Sequence, residues 1–117
     1  MNMQLQFLKL QASGTIRYIS HNEIIYLKAD GNYTCFMLKD HSKFTMCQSL
    51  LNYEIELGNP FFRCHKSYLI NTTYIRAINN RNHQITLTTE ETIPFSRNKS
   101  KIIEEKMKLK SSLSYSI

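Results

Sequence analysis

The 117-residue sequence lacks any run of about 18 or more apolar residues, the length that a helix needs to cross a membrane. Its first residues also lack the basic and apolar regions of a secretory signal. These absences predict a cytoplasmic protein with no membrane insertion. The three cysteines, Cys35, Cys47 and Cys64, are odd in number and widely spaced, which predicts reduced thiols rather than a disulfide framework.

The motifs that most enzymes need are also missing. The sequence contains no glycine-rich phosphate loop and no acidic dyad. Cys64 and His65 are adjacent, so on an extended chain they point to opposite sides and cannot act on each other. His21, His41 and His83 share no metal-ligand spacing with Cys64. We therefore expect no catalytic residue, no metal and no cofactor.

What the sequence has in excess is positive charge, and this charge is unevenly distributed. The net charge is +6 and the pI is near 9.3. Between Arg97 and Lys110 there are six basic and two acidic residues, which accounts for four of the six net charges. A basic segment of this kind indicates a polyanionic partner.

Short apolar or alternating stretches dominate the chain and predict strands. They lie at residues 4–11, 15–19, 24–29, 33–38, 43–47, 68–70, 74–78, 84–88 and 92–95. Turn-forming residues separate several of them, including Gly14 and Asp30-Gly31-Asn32. The pattern predicts a single, mostly β domain over residues 1–110, built largely from antiparallel strands, with a flexible tail at 111–117.

Two helices are predicted. The first lies near 50–57, where Ser49 can cap the start and Leu50, Tyr53 and Leu57 recur on one face. It ends at Gly58, which is followed by Asn59-Pro60. The second lies near 98–108, with an apolar stripe of Ile102, Ile103 and Met107.

The stretch from Phe61 to Asn71 passes from aromatic to basic and polar residues and then into Tyr68-Leu69-Ile70, which has the composition of a buried strand. A buried strand fixed at one end predicts that Arg63 to Ser67 is held rigidly at the surface as a recognition loop. Cys64, beside two cations, is either a reactive thiolate or a small packed residue, and its aromatic neighbours favour packing.

A further feature is the crowding of Arg97, Lys99 and Lys101 at the start of the second helix. Cations are unfavourable there because the helix dipole is already positive. Three cations with free amide donors can bind phosphate. The alternative is that these side chains are solvated and that the helix begins later.

Several segments together resemble the LytTR family of bacterial DNA-binding domains. The segment from Phe62 to Asn71 matches the family's most recognisable motif. Ile24 to Tyr33 is similar to its "I-x-Y-x-x-A-x-x-N-Y" segment, Ser49-Leu50 to its helix start and Ile93 to Arg97 to its "I-P-x-S-R" end. The motifs occur in the family's order over roughly residues 16–108.

This resemblance implies a transcription regulator, of the kind found in two-component response regulators, built from small twisted antiparallel sheets packed as an elongated β-β-β sandwich. It implies sequence-specific binding of double-stranded DNA, with loops inserted into successive major grooves, bending of the duplex, and pairs of protomers at direct-repeat sites. The receiver domain of many members is absent from this sequence. Regulatory input would then come from a partner protein, an effector or abundance, unless the chain is cut from a longer regulator.

The resemblance also implies which residues contact DNA. The base-contact candidates are Arg97, Lys66, Asn32 and Tyr33. Arg97 can bind a guanine through two hydrogen bonds, Lys66 suits guanine acceptors or a phosphate, and Asn32 can pair with adenine. The phosphate-contact candidates are Arg63, Ser67, Lys99 and Lys101.

Some assignments stay open at this point. Arg63 could instead form a salt bridge with Glu54 or Glu56, and Tyr33 is divided between packing and phosphate contact. The remaining motif residues, Phe62, His65, Tyr68 and Asn71, are expected to be structural, with His65 bonded to backbone at a strand start and Asn71 capping a turn.

An alternative function is binding of RNA or single-stranded nucleic acid by a small β-barrel. Seven tyrosines and six phenylalanines suggest it. Most of these aromatics occupy alternating core positions rather than an exposed run, which favours a core over a stacking platform.

Overall fold

Short antiparallel strands make up most of the protein. The computed structural model describes the backbone of residues 6–115 and the side chains of residues 6–109. The strands are β1 Phe7–Ala12, β2 Thr15–Ser20, β3 Ile24–Asp30, β4 Tyr33–Leu38, β5 Lys43–Met46, β6 Phe61–His65, β7 Tyr68–Asn71, β8 Ile75–Asn79, β9 Gln84–Leu87 and β10 Thr92–Pro94. The α-helices are α1 Leu50–Leu57 and α2 Ser100–Tyr115, and 3-10 turns lie at His21–Glu23, Thr72–Tyr74 and Arg97–Lys99.

The strands form three separate antiparallel sheets. The middle sheet has five strands in the order β5-β4-β3-β7-β6. β1 and β2 form a two-stranded hairpin, and β8, β9 and β10 form a three-stranded sheet. This confirms the predicted fold of small antiparallel sheets.

Two hydrophobic cores cover the two faces of the middle sheet. On the first face, the hairpin and α1 pack against Leu27, Phe36 and Leu69. On the second face, the three-stranded sheet and Ile103 of α2 pack against a group that includes Ile70. Leu69 and Ile70 are neighbours on β7 and point to opposite faces of the pleated strand, so each belongs to a different core. The result is three β layers, as predicted.

The first helix has the predicted bounds. Ser49 Oγ accepts a hydrogen bond from Asn52 N at 3.3 Å, and Gly58, with φ of 61°, ends the helix. Leu50, Tyr53 and Leu57 are buried, in agreement with the spacing of the apolar residues.

The second helix differs from its prediction near 98–108. A 3-10 turn occupies Arg97–Lys99, and the α-helix starts only at Ser100. The helix extends to Tyr115 rather than ending near Lys108, so Ser111, Ser112 and Ser114 of the predicted tail fall within it. Residues 116 and 117, and the side chains from 110 onward, lie outside the described residues, so the tail predicted at 111–117 stays a prediction.

The recognition loop predicted from Arg63 to Ser67 is shorter than expected. Phe61 to His65 form strand β6, which pairs with β7 through a bulge between Arg63 and His65. Only Lys66 and Ser67 remain as the connecting turn. Burial of Phe61 and Cys64 draws this segment into the sheet, and the basic residues between them do not prevent it.

The first predicted strand, from residue 4, falls partly outside the described residues. None of the described helices is long and apolar enough to span a membrane.

Asn71 joins three segments at the end of β7. Its side chain is almost fully buried. Its Oδ1 accepts a hydrogen bond from Thr73 N at 3.0 Å and caps the following 3-10 turn, while its Nδ2 donates to Ile24 O at 3.0 Å. Asn71 therefore ties the path from β7 toward the three-stranded sheet to the start of β3.

We predict that Asn71→Ala lowers the free energy of unfolding by about 2–3 kcal/mol, since it removes a turn cap and leaves a buried carbonyl without its donor. Urea unfolding monitored by circular dichroism measures this change. The matched control is Asn82→Ala at an exposed turn, where we expect a change within about 0.5 kcal/mol. Equal effects of the two substitutions would contradict the role of Asn71.

Candidate nucleic-acid interface

Two hairpin turns lie at the same end of the middle sheet. Strands β3 and β7 are antiparallel neighbours with Lys28 opposite Tyr68. Beyond this pair, Ala29 N donates a hydrogen bond to Ser67 O at 2.8 Å. The β3–β4 turn, which contains Asn32, is therefore next to the β6–β7 turn, which contains Lys66.

A third segment reaches the same region from β10. Ser96 N donates a hydrogen bond to Cys64 O at 2.8 Å, which attaches the chain just before Arg97 to strand β6. Phe95 is buried in the second core, and its backbone N donates to His83 O at 3.0 Å. Hydrogen bonds thus fix the backbone at Phe95 and Ser96, the two positions before Arg97, while the Arg97 side chain is exposed.

Beside these segments, three lysine ammonium groups lie over two aromatic rings. Lys99 Nζ and Lys106 Nζ lie 5.8 and 5.4 Å from the centroid of the Phe62 ring. Lys28 Nζ lies 5.8 Å from the centroid of the Tyr68 ring. These are cation–π distances, so the motif aromatics hold the lysine ammonium groups at the surface.

These segments form one surface, which we call the basic edge. It consists of the two hairpin turns, the segment after β10 and the start of α2, and its predicted contact residues are Asn32, Tyr33, Lys66, Ser67, Arg97, Lys99 and Lys101. All are exposed except Ser67 and Lys99, which are half-buried. Tyr33 keeps about half of its surface in solvent, which leaves its ring and hydroxyl free to meet a ligand.

Arg63 is engaged inside the protein. Its Nη1 forms a salt bridge with Glu54 Oε1 at 2.8 Å, one of the two partners considered from the sequence. Its Nε donates to His65 O at 3.1 Å and its Nη2 to Lys66 O at 2.5 Å. The guanidinium thus connects α1 to two carbonyls of the β6–β7 turn and holds Lys66 in place.

His65 stabilises the same turn. Its Nδ1 accepts a hydrogen bond from Ser67 N at 3.0 Å, and its ring meets the Tyr68 ring edge-on at 5.8 Å between centroids. His65 bonds to backbone, although at the end of β6 rather than at a strand start.

Cys64 is fully buried in the second core. Its Sγ lies 3.7 Å from Pro94 O and 3.9 Å from Tyr68 O. Burial raises the pKa of the Cys64 thiol to about 12, an effect larger than the opposing influence of Arg63 and Lys99. Of the two roles considered from the sequence, the geometry supports the packed residue.

Two cations of this surface were not among the predicted contacts, Lys28 and Lys106. Lys106 follows Lys99 by seven residues. In the helix predicted near 98–108 this spacing places both side chains on one side, so the sequence could have identified Lys106 as a member of this surface. Lys28 had a weaker signal, because its place beside Tyr68 depends on the register of β3 with β7.

A family model and a solved structure that match this chain both describe the same domain type. A family model described as the LytTr DNA-binding domain matches residues 14–108. Among solved structures, the chain is similar to the LytTr DNA-binding domain of a Bacillus cereus protein described as a methyl-accepting/DNA response regulator. That pair shares 22% identity with a TM-score of 0.72, covering 87% of this chain and 96% of the other. No curated protein matches the chain.

The burial of Cys64 generates a labelling prediction. In folded protein near neutral pH, iodoacetamide should modify exposed Cys47 first, half-buried Cys35 more slowly, and Cys64 last. Burial raises the pKa of the Cys64 thiol to about 12, so the unreactive thiol form predominates at pH 7. Mass spectrometry of peptides after timed quenching measures the order. Unfolding in urea should equalise the three rates, and labelling of Cys64 as fast as Cys47 in the folded protein would contradict the assignment.

Proposed function

We propose, because this chain belongs to the LytTr DNA-binding domain family, that it binds double-stranded DNA in a sequence-specific manner through the basic edge and regulates transcription without catalysis. Family membership supports DNA as the partner of a transcription regulator. The choice of surface, the base contacts and the mode of docking are our inferences from the arrangement of the side chains.

The observation that carries the proposal is the convergence of three distant segments on one edge. Asn32, Lys66 and Arg97 are far apart in sequence, yet the Ala29–Ser67 and Ser96–Cys64 hydrogen bonds draw their segments together. Turns at strand ends project beyond the sheet, so they can enter a groove while the layered core stays outside it. Base reading requires segments that are held in place, and the same two hydrogen bonds attach these segments to the sheet.

The side-chain chemistry suggests a division of roles. Arg97 presents a fork of donors suited to guanine O6 and N7, Asn32 suits adenine, and Lys66 suits guanine acceptors. We assign Ser67, Lys99 and Lys101 to phosphate contacts, with Tyr33 at the boundary of base and phosphate. Arg63 was also a phosphate candidate, but its bonds to Glu54 and the turn favour a role in positioning Lys66.

We further propose that the projecting segments enter successive major grooves of one face of the duplex and bend it. The extents of the molecule are 45, 38 and 24 Å, and the larger two are comparable with the roughly 34–36 Å of one DNA turn. On this proposal the protein acts in the cytoplasm, as pairs of protomers at direct-repeat sites, under a regulatory partner or in a response-regulator-like pathway.

Arg97→Ala should relax the preference at one base position and cost about 1–3 kcal/mol of binding free energy at the selected sequence. The selected sequence comes from random duplexes enriched with purified protein, and titrations of cognate and scrambled duplexes give the two affinities. Arg76→Ala is the matched control, because Arg76 is exposed on β8, away from the basic edge, and is paired with Glu90. Equal losses on cognate and scrambled duplexes would contradict the base-reading role of Arg97.

Failure of the selection to enrich any duplex, with tighter binding to RNA, would favour the alternative function of binding RNA or single-stranded nucleic acid.

Lys99→Ala should weaken binding to all duplexes alike and reduce the slope of log K against log salt by about one, because one phosphate neutralisation is lost. Lys39→Ala is the matched control, since Lys39 is exposed in the β4–β5 turn at the opposite end of the middle sheet. Titrations at several salt concentrations give both slopes. An unchanged slope for Lys99→Ala, or an equal change for Lys39→Ala, would contradict the phosphate assignment.

A further inference from the structure

The turn between β8 and β9, residues 80–83, lies beside the basic edge but was not among the predicted contacts. Gln84, the first residue of β9, is opposite Pro94, the last residue of β10. The turn therefore leaves the three-stranded sheet at the same end as the segment after β10. In that segment, Phe95 N donates a hydrogen bond to His83 O at 3.0 Å, and the two rings meet edge-on with 5.4 Å between their centroids. The turn is thus attached to one component of the basic edge.

The backbone of this turn is organised by its own residues. Asn79 Oδ1 accepts hydrogen bonds from Arg81 N at 2.9 Å and from Asn82 N at 3.2 Å, a common way for asparagine to form a turn. His83 completes the reversal with a φ of 56°. Arg81 and Asn82 are exposed. The turn therefore presents the Arg81 side chain to solvent from a backbone that is held in place.

A second attachment joins the turn to the start of α2. Asn80 Oδ1 accepts a hydrogen bond from Ser100 Oγ at 2.9 Å, and Asn80 Nδ2 donates to Glu104 Oε2 at 3.2 Å. Ser100 stands between Lys99 and Lys101 in the sequence, and both lysines are assigned to phosphate contacts. The bonds of Asn80 therefore bring the turn next to the cations that begin α2.

The charges around the Asn80–Ser100 bond favour a polyanion. The turn contains Arg81 and no acidic residue. Within the part of the chain whose side chains are described, Arg81 forms no salt bridge. Three cations, Arg81 and the two lysines that flank Ser100, are each next in sequence to a partner in this bond, and the one carboxylate bonded to Asn80 belongs to Glu104. A surface with this excess of positive charge attracts phosphate.

The separation of the layers indicates which part of the duplex the turn meets. The three-stranded sheet packs on the second face of the middle sheet, and packed sheets lie about 10 Å apart. The major groove is about 12 Å wide. With the turns of the middle sheet centred in the groove and the layers stacked across it, a turn one layer away lies over the phosphate backbone that borders the groove. The segment after β10 avoids this offset, because Ser96 is bonded back to Cys64 of the middle sheet.

We propose that the β8–β9 turn is a further DNA-contact segment, in which Arg81 binds a phosphate at the border of the groove that the basic edge enters. A guanidinium suits this contact because its donors match two phosphate oxygens. Asn80 is a positioning residue, since its side chain holds the turn against α2. The inference rests on the proposed function and extends the contact surface from the middle sheet to the neighbouring layer.

Arg81→Ala should weaken binding about five- to tenfold on cognate and scrambled duplexes alike and reduce the slope of log K against log salt by about one. Titrations at several salt concentrations measure both quantities. Arg81→Lys keeps the charge, so it should keep the slope. Arg76→Ala is the matched control, because it removes the same charge from the same sheet at the far end of β8, and its slope should equal that of the wild type.

Duplexes with one neutral methylphosphonate in place of a phosphate locate the contact. Moving the substitution along each strand should reveal the phosphates at which the wild type loses affinity. Arg81→Ala should lose this sensitivity at one phosphate or at two neighbouring phosphates and keep it elsewhere, whereas Arg97→Ala should keep it at that position. In an Asn80→Ala background the turn is released from α2, so Arg81→Ala should cause a smaller loss of affinity than it does in the wild type.

The outcomes distinguish this inference from the proposed function. Unchanged affinity and slope for Arg81→Ala, with losses for Arg97→Ala and Lys99→Ala, would overturn the inference and leave the proposed function standing. A loss confined to the cognate duplex, or a loss equal to that of Arg76→Ala, would also overturn the phosphate contact. A wild type that binds no duplex would overturn both. Thermal melts check the fold of each variant, and Arg81→Glu, which should lose more affinity than Arg81→Ala, provides a second test.

Discussion

The whole architecture depends on burial of both faces of the five-stranded middle sheet. The strands must supply apolar side chains alternately to two cores, and the pair Leu69 and Ile70 shows this most directly. Full burial of one such side chain contributes about 1.5–3 kcal/mol, so the two cores rather than the short loops hold the layers together. With both faces covered, polar and charged side chains can gather only at the ends and edges of the sheet. The position of the basic edge follows from this constraint.

The arrangement of the basic edge depends on the layers behind it. Cys64 O and Ser67 O, both backbone groups of the β6–β7 hairpin, accept hydrogen bonds from neighbouring segments and so bring the other predicted contact residues close to this hairpin. Phe62 and Tyr68 carry lysines on their rings while belonging partly to the second core. The motif from Phe62 to Asn71 therefore forms the framework of the surface. Lys66 within it and the residues of the neighbouring segments present their side chains to a ligand.

The sequence predicted most of the strands, the bounds of α1 and the three-layered sandwich, because these depend on local alternation, capping and the family resemblance. It was wrong about the segment from Arg63 to His65, where pairing with β7 across a bulge outweighed the polar composition. The second helix is also longer than predicted, because Ser111, Ser112 and Ser114 carry only a weak local preference against a helix. The place of Lys28 beside Tyr68 depends on strand register, which one sequence does not specify.

The clamp that Arg63 forms between Glu54 and the β6–β7 turn has an entropic consequence. Fixing the backbone of a residue costs roughly 1–2 kcal/mol, and a mobile loop must meet that cost when it binds. Here the carbonyls of His65 and Lys66 are already bonded to the guanidinium, so the main chain of the turn is ordered before any ligand arrives. The freedom lost on binding is then largely that of the Lys66 side chain. A turn that is ordered in advance can favour one partner over another with few contacts. Little of the binding free energy of those contacts is then lost in ordering the turn.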